Sequence, residues 1–171
     1  MSLIKRRSVE LKIPSEQGYE KMAMNLAADL ATMMKFPDDR IDDLRTAVSE
    51  ACINAIEHGN VNDVSTKVYI VMTVDENRLA IDVVDEGRSG PPPTHVSAPD
   101  LEAQFAGLLE PGGMGLFVIK ALVDEADFVE PDLGTGTQFR MVVHLQPKGE
   151  TPQSADAVES ADSDEKDEVE R

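Results

Sequence analysis

The segment from Thr46 to Asn60, TAVSEACINAIEHGN, carries two side-chain patterns on one predicted helix. Glu50, Asn54 and His58 are spaced by four and line up along one side, about 6 Å apart at their β-carbons. The apolar residues recur at spacings of three and four on another side, at Val48, Ala51, Cys52, Ala55 and Ile56. The segment therefore predicts a helix that packs one face on a core and presents a narrow polar stripe. Such a stripe usually faces water, so its meaning depends on what the chain places beside it.

Two glycine-rich segments, Asp85 to Gly90 and Gly112 to Gly115, follow this helix and suggest a role for its polar stripe. Glycines before a helix let backbone N–H groups form a concave anion site, which the helix dipole reinforces, and phosphate is the usual guest. Asp82 and Asp85 lie near the end of a predicted strand, where a carboxylate can accept a hydrogen bond from an exocyclic amine. Each signal is weak alone, because glycines also form ordinary turns and acids also face solvent.

Length and composition restrict the classes of protein that the chain can belong to. With 171 residues, 41% of them hydrophobic, the chain can form one domain with a substantial core. No apolar run approaches the roughly 18 residues that span a bilayer, and the N-terminus lacks the pattern of a signal peptide. The net charge of −17 argues against direct binding to nucleic acid or an anionic membrane. The single cysteine, Cys52, is predicted to be a buried, inert thiol, and we expect a cytoplasmic protein.

The last residues of the chain, 147–171, differ in composition from the rest. They contain nine acids and three bases, a net charge of −6, and no apolar periodicity. We therefore predict a folded domain over residues 1–146 and a disordered acidic tail over 147–171. The domain keeps a charge of −11 out of the total of −17, so the acidity is not confined to the tail.

Hydrophobic periodicity predicts the order strand, two helices, hairpin, long loop, helix and two strands. The long loop, 86–112, is interpreted as a lid with a short helical turn at 101–109. An α/β two-layer sandwich, with helices on one face of a mixed, mostly antiparallel sheet, follows from this order. The strands are predicted at 8–13, 66–74, 78–84, 128–130 and 137–145, and the helices at 16–35, 38–58 and 114–125.

The first helix is predicted to begin after Ser15, which is a residue type that favours the N-cap position. Pro37, with Asp38 and Asp39 in the following turn, predicts the start of the second helix, because carboxylates there meet the positive end of the helix dipole. The buried side of the first helix is expected at Met22, Leu26, Leu30 and Met33 or Met34.

Together, the polar helix and the glycine-rich segments resemble the GHKL ATPase superfamily, which shares the Bergerat nucleotide-binding fold. Its N-box is matched by SEACINAIEHGN, its first glycine box by DVVDEGRSG, its second by PGGMGLFVIKALVDE and its last box by GTGTQFRM. The chain looks most like the anti-sigma-factor serine/threonine kinases of bacterial partner-switching systems. The resemblance covers residues 8–145, which is nearly everything before the tail.

This resemblance implies ATP and Mg²⁺ as cofactors and a role for each matching residue. Asn54 would hold Mg²⁺ through its amide oxygen, in a site completed by phosphates and water, as magnesium favours. Glu50 would be the general base for the incoming hydroxyl group. Asp85 would bind the adenine amino group. The other nucleotide-binding residues implied are Gly87, Gly113, Met114, Gly115 and Thr137.

The resemblance also implies protein partners. These are an anti-sigma-factor antagonist with a STAS-type fold, which is phosphorylated, and a sigma factor that is held inactive. Similar proteins dimerise through the N-terminal strand and first helix, so we expect a homodimer. The roles of Glu57 and His58 stay open between closing the helix and contacting the ligand.

A second interpretation is a nucleotide-dependent switch protein that binds a regulator or phosphatase and transfers nothing. It is favoured by Leu109, Glu110 and Pro111, because relatives often place a basic residue there, near the γ-phosphate. Within the predicted loop, 86–112, Arg88 is the only lysine or arginine. Phosphoryl transfer depends on charge neutralisation, so this difference predicts slow or partner-dependent transfer. The ATPase half of a histidine kinase fits poorly, because the first residues do not accommodate a dimerisation helix with a phospho-accepting histidine.

Overall fold

The computed structural model describes residues 6–87, 114–131 and 136–146, which form a sheet layer and a helix layer. The helices are α1 (Glu20–Met33), α2 (Asp38–Asn54) and α3 (Met114–Leu122). The strands are β1 (Arg7–Pro14), β2 (Lys67–Val74), β3 (Arg78–Val84), β4 (Glu125–Val129) and β5 (Gln138–His144).

The described strands form one sheet in the order β1-β2-β3-β5-β4, with β1 and β4 at its edges. All four neighbouring pairs are antiparallel. The hairpin between β2 and β3 is closed by the backbone N–H of Asp75, which donates to the carbonyl of Arg78 at 3.0 Å. The predicted α/β two-layer sandwich with a mostly antiparallel sheet is therefore confirmed.

Alternation along the strands separates the two faces of the sheet. On β3, Leu79, Ile81 and Val83 belong to the core, whereas Ala80 and Asp82 point to the opposite face. The helices cover the first face with small and aliphatic side chains. Their buried hydrophobic residues are Ala23, Ala27, Ala28, Ala31, Ile41, Leu44, Ala47, Val48, Ala51, Cys52 and Ile119.

The buried side of α1 differs from the sequence-based expectation. Met22 is 58% exposed, so its predicted burial was wrong, and of the alternatives Met33 and Met34 it is Met33 that is exposed, at 78%. Leu26, Leu30 and Met34 are partly buried against the core, as expected. The four buried alanines of α1 let its backbone approach α2 closely, and longer side chains at those positions would not fit. Small residues, rather than the methionines, therefore mark the contact face.

The start of α1 also differs from the prediction. Ser15 is 1% exposed and does not cap the helix, because its hydroxyl accepts hydrogen bonds from Asn60 Nδ2 at 2.8 Å and Thr66 Oγ1 at 3.0 Å. The helix begins at Glu20, whose carboxylate accepts a hydrogen bond from the N–H of Gly18 at 2.6 Å. Gly18 has φ +100°, a conformation that glycine adopts without steric cost.

The junction between α3 and β4 lies earlier than predicted. The helix ends at Leu122 instead of residue 125, and β4 begins at Glu125 instead of residue 128. Asp124 fixes this junction, because its carboxylate accepts hydrogen bonds from Arg40 Nη2 at 2.6 Å and the N–H of His144 at 2.7 Å. Arg40 comes from the first turns of α2, so the C-terminal end of α3 is tied to the start of α2.

The remaining predicted elements lie close to their expected bounds, and α2 begins at Asp38 as Pro37 and its acidic neighbours indicated. The predicted lid beyond residue 87, its helical turn at 101–109, and the acidic tail lie outside the described residues. Within the described residues, no helix is both long enough and apolar enough to cross a membrane.

Candidate functional site

The helix that carries the polar stripe changes its winding immediately after Asn54. Residues Ala55–Gly59 form a π-helical turn, which the N–H of Asn60 closes by donating to the carbonyl of Ala55 at 2.8 Å. Such wide turns are frequent at functional sites, because they turn side chains that a regular helix would aim elsewhere. Here the π turn brings Gly59 and Asn60 against the end of β3.

Asp85 follows the last residue of β3, and three glycines surround it. A Cβ placed on Gly59 would collide with Oδ2 of Asp85. A Cβ on Gly87 would collide with the carbonyl oxygen of Gly59, and one on Gly136 would collide with the carbonyl oxygen of Asp85. Gly136 also has φ +83°. Neighbouring segments thus approach so closely around Asp85 that a side chain at any of these three positions would clash, which explains the three glycines.

Asp85 is 5% exposed. Its carboxylate is held mainly by backbone N–H groups. Its Oδ1 accepts hydrogen bonds from the N–H of Gly87 at 2.9 Å and of Thr137 at 3.1 Å. Thr137 also accepts a hydrogen bond from the N–H of Asp85, at 3.1 Å, through its carbonyl. Burial raises the pKa of Asp85, and the hydrogen bonds from Gly87 and Thr137 only partly offset it. The site therefore places a costly charge in a polar recess.

Asp82, the other carboxylate considered near the strand end, lies elsewhere. It accepts hydrogen bonds from Arg140 Nε at 2.7 Å and from Gln138 Nε2 at 3.0 Å, on the face of the sheet that the helices do not cover. Residues at odd and even positions of a strand point to opposite faces, so Asp82 and Asp85 cannot line the same site. Of the two, Asp85 is the one brought beside α2.

Glu50 and Asn54 meet the first turn of α3. A Cβ placed on Gly115 would collide with Glu50 Oε1, and it would lie 2.9 Å from Glu50 Cδ and 3.0 Å from Asn54 Nδ2. Gly115 thus permits α2 and α3 to approach at the polar stripe. Met114, the first residue of α3, is 42% exposed beside this contact.

Asn54 has a buried side-chain nitrogen, Nδ2, without a hydrogen-bond partner among the described residues. A buried polar atom of this kind costs about 1–3 kcal/mol, and such atoms tend to persist where a ligand completes the site. The amide can present either its nitrogen or its oxygen, because the two ends are nearly isosteric. The residue expected to hold a metal–phosphate group therefore has unused hydrogen-bonding capacity.

The sequence did not single out three residues that build this site. Gly59 and Gly136 form two walls around Asp85, and Asn60 donates and accepts hydrogen bonds beside it. Gly59 and Asn60 stand in the segment that matches the N-box, and Gly136 in the one that matches the last box, but no role followed from the sequence for any of the three. Glu57 accepts a hydrogen bond from Gln17 at 2.8 Å and His58 is exposed. Gly113 lies outside the described residues.

Comparison with known proteins identifies the group to which this arrangement belongs. The family model described as the histidine kinase-like ATPase domain matches residues 13–143, which is most of the chain. The chain is a member of the histidine kinase-like ATPase family. The predicted membership of the GHKL superfamily is thereby confirmed.

Within the histidine kinase-like ATPase family, the chain is similar to proteins named serine-protein kinase RsbW. The protein from Bacillus subtilis (strain 168) is 34% identical over 119 residues, which cover 68% of this chain and 74% of the relative. The protein of the same name from Bacillus velezensis is 33% identical over 139 residues, which cover 80% and 85%.

A solved structure of the RsbU and RsbW domains of a Mycobacterium tuberculosis protein shares this fold. It aligns with a TM-score of 0.55 at 17% identity and covers 80% of this chain. The present chain spans about a third of that longer chain, 31% of its length. The likeness supports the α/β architecture and nothing more specific.

Proposed function

We propose that the protein is an ATP-dependent serine/threonine protein kinase that acts as an anti-sigma factor. The observation that carries the proposal is that one helix, α2 with its π turn, touches both glycine-lined regions. Its middle meets Gly115 through Glu50 and Asn54, and its end meets Asp85 through Gly59. Membership of an ATPase family and the similarity to serine-protein kinases support the same conclusion.

Asp85 is proposed to recognise the adenine amino group, with Gly87 and Thr137 at the same recess. A carboxylate oxygen accepts a hydrogen bond from an exocyclic N–H, and a buried carboxylate gains more from that bond than an exposed one does. The two backbone N–H groups on Oδ1 fix the orientation of the carboxylate before the nucleotide arrives. Ligand binding then requires little reorganisation.

Asn54 is proposed to hold Mg²⁺ together with the nucleotide phosphates. Its unpartnered amide nitrogen, and the bare backbone of Gly115 that lets the start of α3 come close to it, both fit such a group. Bound Mg²⁺ would neutralise phosphate charge during transfer, using few protein ligands because phosphates and water supply the others. Gly113, Met114 and Gly115 are proposed to cradle the phosphates at the start of α3.

Glu50 is proposed as the general base for the substrate hydroxyl. It lies one helical turn before Asn54 and is half-buried at the same α2–α3 contact. A carboxylate in this place can take the proton directly or through one water molecule. Its replacement by glutamine preserves size and hydrogen bonding but removes the basic oxygen.

The proposed partners are a STAS-type antagonist, as phosphate acceptor, and a sigma factor, in a cytoplasmic system. A homodimer is proposed through the edge strand β1 and α1. Along α1, Tyr19, Met22 and Met33 are 43%, 58% and 78% exposed, and on β1 Val9 is 37% exposed. Exposed apolar residues beside an unpaired strand edge are a common basis for self-association.

The second candidate is a nucleotide-responsive switch that transfers no phosphate. It is favoured by the absence of a basic residue at 109–111 in the sequence, where charge neutralisation would assist transfer.

Incubation with radiolabelled ATP, Mg²⁺ and a neighbouring STAS protein distinguishes the two candidates. If the protein is a kinase, label is transferred to the STAS protein. Glu50→Gln should then lower the transfer rate by more than about 100-fold while ATP still binds. Equal labelling by wild type and Glu50→Gln would contradict the role of Glu50. Tight ATP binding by the wild type without any labelled partner would replace the kinase with the switch.

A further inference from the structure

Asn60 connects three segments at the edge of the candidate site. It is 4% exposed, and its Oδ1 accepts a hydrogen bond from the N–H of Glu86 at 2.8 Å. Its Nδ2 donates to Ser15 Oγ at 2.8 Å and to the carbonyl of Lys67 at 2.9 Å. The amide thus has one acceptor side, toward the Asp85–Gly87 turn, and one donor side, toward the ends of β1 and β2.

The π turn fixes where this amide lies. The N–H of Asn60 donates to the carbonyl of Ala55, so the residue is tied by its backbone to the helix that carries Asn54. Its side-chain oxygen accepts a hydrogen bond from the backbone N–H of Glu86, the residue immediately after Asp85. A short chain of covalent and hydrogen bonds therefore relates the phosphate side of the site to the adenine side.

Glu86 is also held from its other end. Its carboxylate accepts hydrogen bonds from the N–H of Lys67 and from the hydroxyl of Tyr69, both at 2.8 Å. This side-chain attachment is exposed, whereas the backbone attachment to Asn60 is partly buried. Water can replace the exposed bonds but replaces a buried one poorly, so the bond from Asn60 has the greater influence on the turn.

We propose that Asn60 is a positioning residue for adenine recognition. By holding the Glu86 backbone, its side-chain oxygen sets the place of the Asp85 carboxylate relative to Asn54. This inference rests on the proposed function, in which a nucleotide binds between these residues. It adds to that function a residue that contacts no ligand and determines how well adenine is distinguished from other bases.

The two sides of the amide provide a matched control. Ser15→Ala removes the acceptor of one Nδ2 hydrogen bond but leaves the Oδ1 bond to Glu86 in place. Asn60→Ala removes both sides. If Asn60 only stabilises the fold, the two variants should change nucleotide binding alike. If its oxygen positions Asp85, only Asn60→Ala should change the preference for adenine.

The experiment measures ATP and GTP affinities with Mg²⁺, by competition against a fluorescent ATP analogue, together with Tm and hydrogen exchange at the Glu86 amide. Both variants should lower Tm. Asn60→Ala should weaken ATP binding about 10-fold, reduce the ATP-to-GTP preference and accelerate exchange at Glu86. Ser15→Ala should keep that preference within about 2-fold of wild type, because the bond between Asn60 Oδ1 and the Glu86 N–H remains. An equal preference in both variants overturns the proposal.

Two further variants keep the test decisive. Asn60→Asp retains an acceptor oxygen for the Glu86 N–H but loses the donor to Ser15 and the Lys67 carbonyl, so it should keep most of the ATP-to-GTP preference at a lower Tm. If Asn60→Ala does not fold, Asn60→Ser carries the same comparison, because its hydroxyl is too short to reach Glu86.

Asp85→Asn, measured in parallel, separates this inference from the function on which it rests. Wild-type ATP affinity in Asp85→Asn contradicts the proposed function itself. Lost affinity in Asp85→Asn, with Asn60→Ala behaving like Ser15→Ala, contradicts the role of Asn60 alone.

Discussion

Asp82 and Asp85 are both buried carboxylates near the end of β3, and they are satisfied in different ways. Asp82 pairs with the guanidinium of Arg140, at 2.7 Å, on the face away from the helices. Asp85 pairs with no lysine or arginine of residues 6–87, 114–131 or 136–146 and is held by the N–H groups of Gly87 and Thr137. The comparison separates a carboxylate that completes the fold from one that is available to a ligand.

The difference has an energetic consequence. A buried charge with a cationic partner is compensated within the protein, and removing one partner exposes the cost of the other. A buried charge without a cation remains costly until a ligand donates to it. We therefore expect the two aspartates to respond in opposite ways to the loss of their charge.

The largest effect is expected for Asp85→Asn. The amide removes the charged acceptor and should weaken ATP binding about 10- to 100-fold, because hydrogen bonds to charged groups contribute about 1.5–3 kcal/mol. The free energy of unfolding should stay equal or increase, since a desolvated charge is removed from the folded state. Calorimetric titration with Mg-ATP and urea unfolding measure the two quantities. A loss of stability with unchanged ATP affinity would show that Asp85 stabilises the fold and does not bind the nucleotide.

Asp82→Asn should show the opposite pattern, with a smaller effect. It weakens the hydrogen bonds to Arg140, whose side chain is 41% exposed, so we expect a loss of about 1–2 kcal/mol in the free energy of unfolding. ATP affinity should remain within about 2-fold of wild type, because Asp82 lies on the other face of the sheet. Urea unfolding and the same titration provide the comparison with Asp85→Asn, and a large loss of ATP affinity would place Asp82 in the site.

The pH dependence of stability sharpens the comparison further. Burial raises the pKa of Asp85 above its ordinary value of 3.8, so its protonated form is favoured in the folded state. The resulting stabilisation is fully present below pH 3.8 and is lost as the pH rises through the folded-state pKa. The stability of Asp85→Asn relative to wild type should therefore increase with pH across this range. Urea unfolding of both proteins at matched pH values tests this, and a relative stability that falls with pH would contradict it.

The smallest effect is expected for Tyr69→Phe, which removes a hydrogen bond to Glu86 next to Asp85. Because this bond is exposed, the free energy of unfolding should fall by less than about 1 kcal/mol. The ATP-to-GTP preference should be unchanged, since Asn60 still holds the Glu86 backbone. Thermal unfolding and nucleotide competition measure both. A changed preference would show that the Glu86 side chain, rather than its backbone, positions Asp85.

The sequence predicted the α/β layers and most of the residues that the structure brings together in the candidate site, because both depend on local patterns. Alternating apolar residues located β2 and β3, and the spacing of Glu50 and Asn54 placed them on one side of a helix. The same alternation, counted through to Asp85, also distinguishes it from Asp82. This could have been inferred before the structure was known.

Other features depend on contacts between distant segments and were not visible locally. Ser15 has the residue type of a helix cap but is bonded to Asn60, 45 positions away. Met22 and Met33 fit an apolar helix face, yet close packing of α1 on α2 selects the alanines. The π turn that directs Asn60 toward Glu86 has no distinctive residue pattern of its own. Tertiary packing decided each of these.

The most direct test asks whether one nucleotide spans both regions of the site. Titration of Asp85→Asn and Asn54→Ala with adenosine and with Mg-ATP separates the base from the phosphates. The account predicts that Asp85→Asn weakens binding of both ligands, whereas Asn54→Ala weakens Mg-ATP and leaves adenosine unchanged. Wild-type affinity for Mg-ATP in both variants would contradict it.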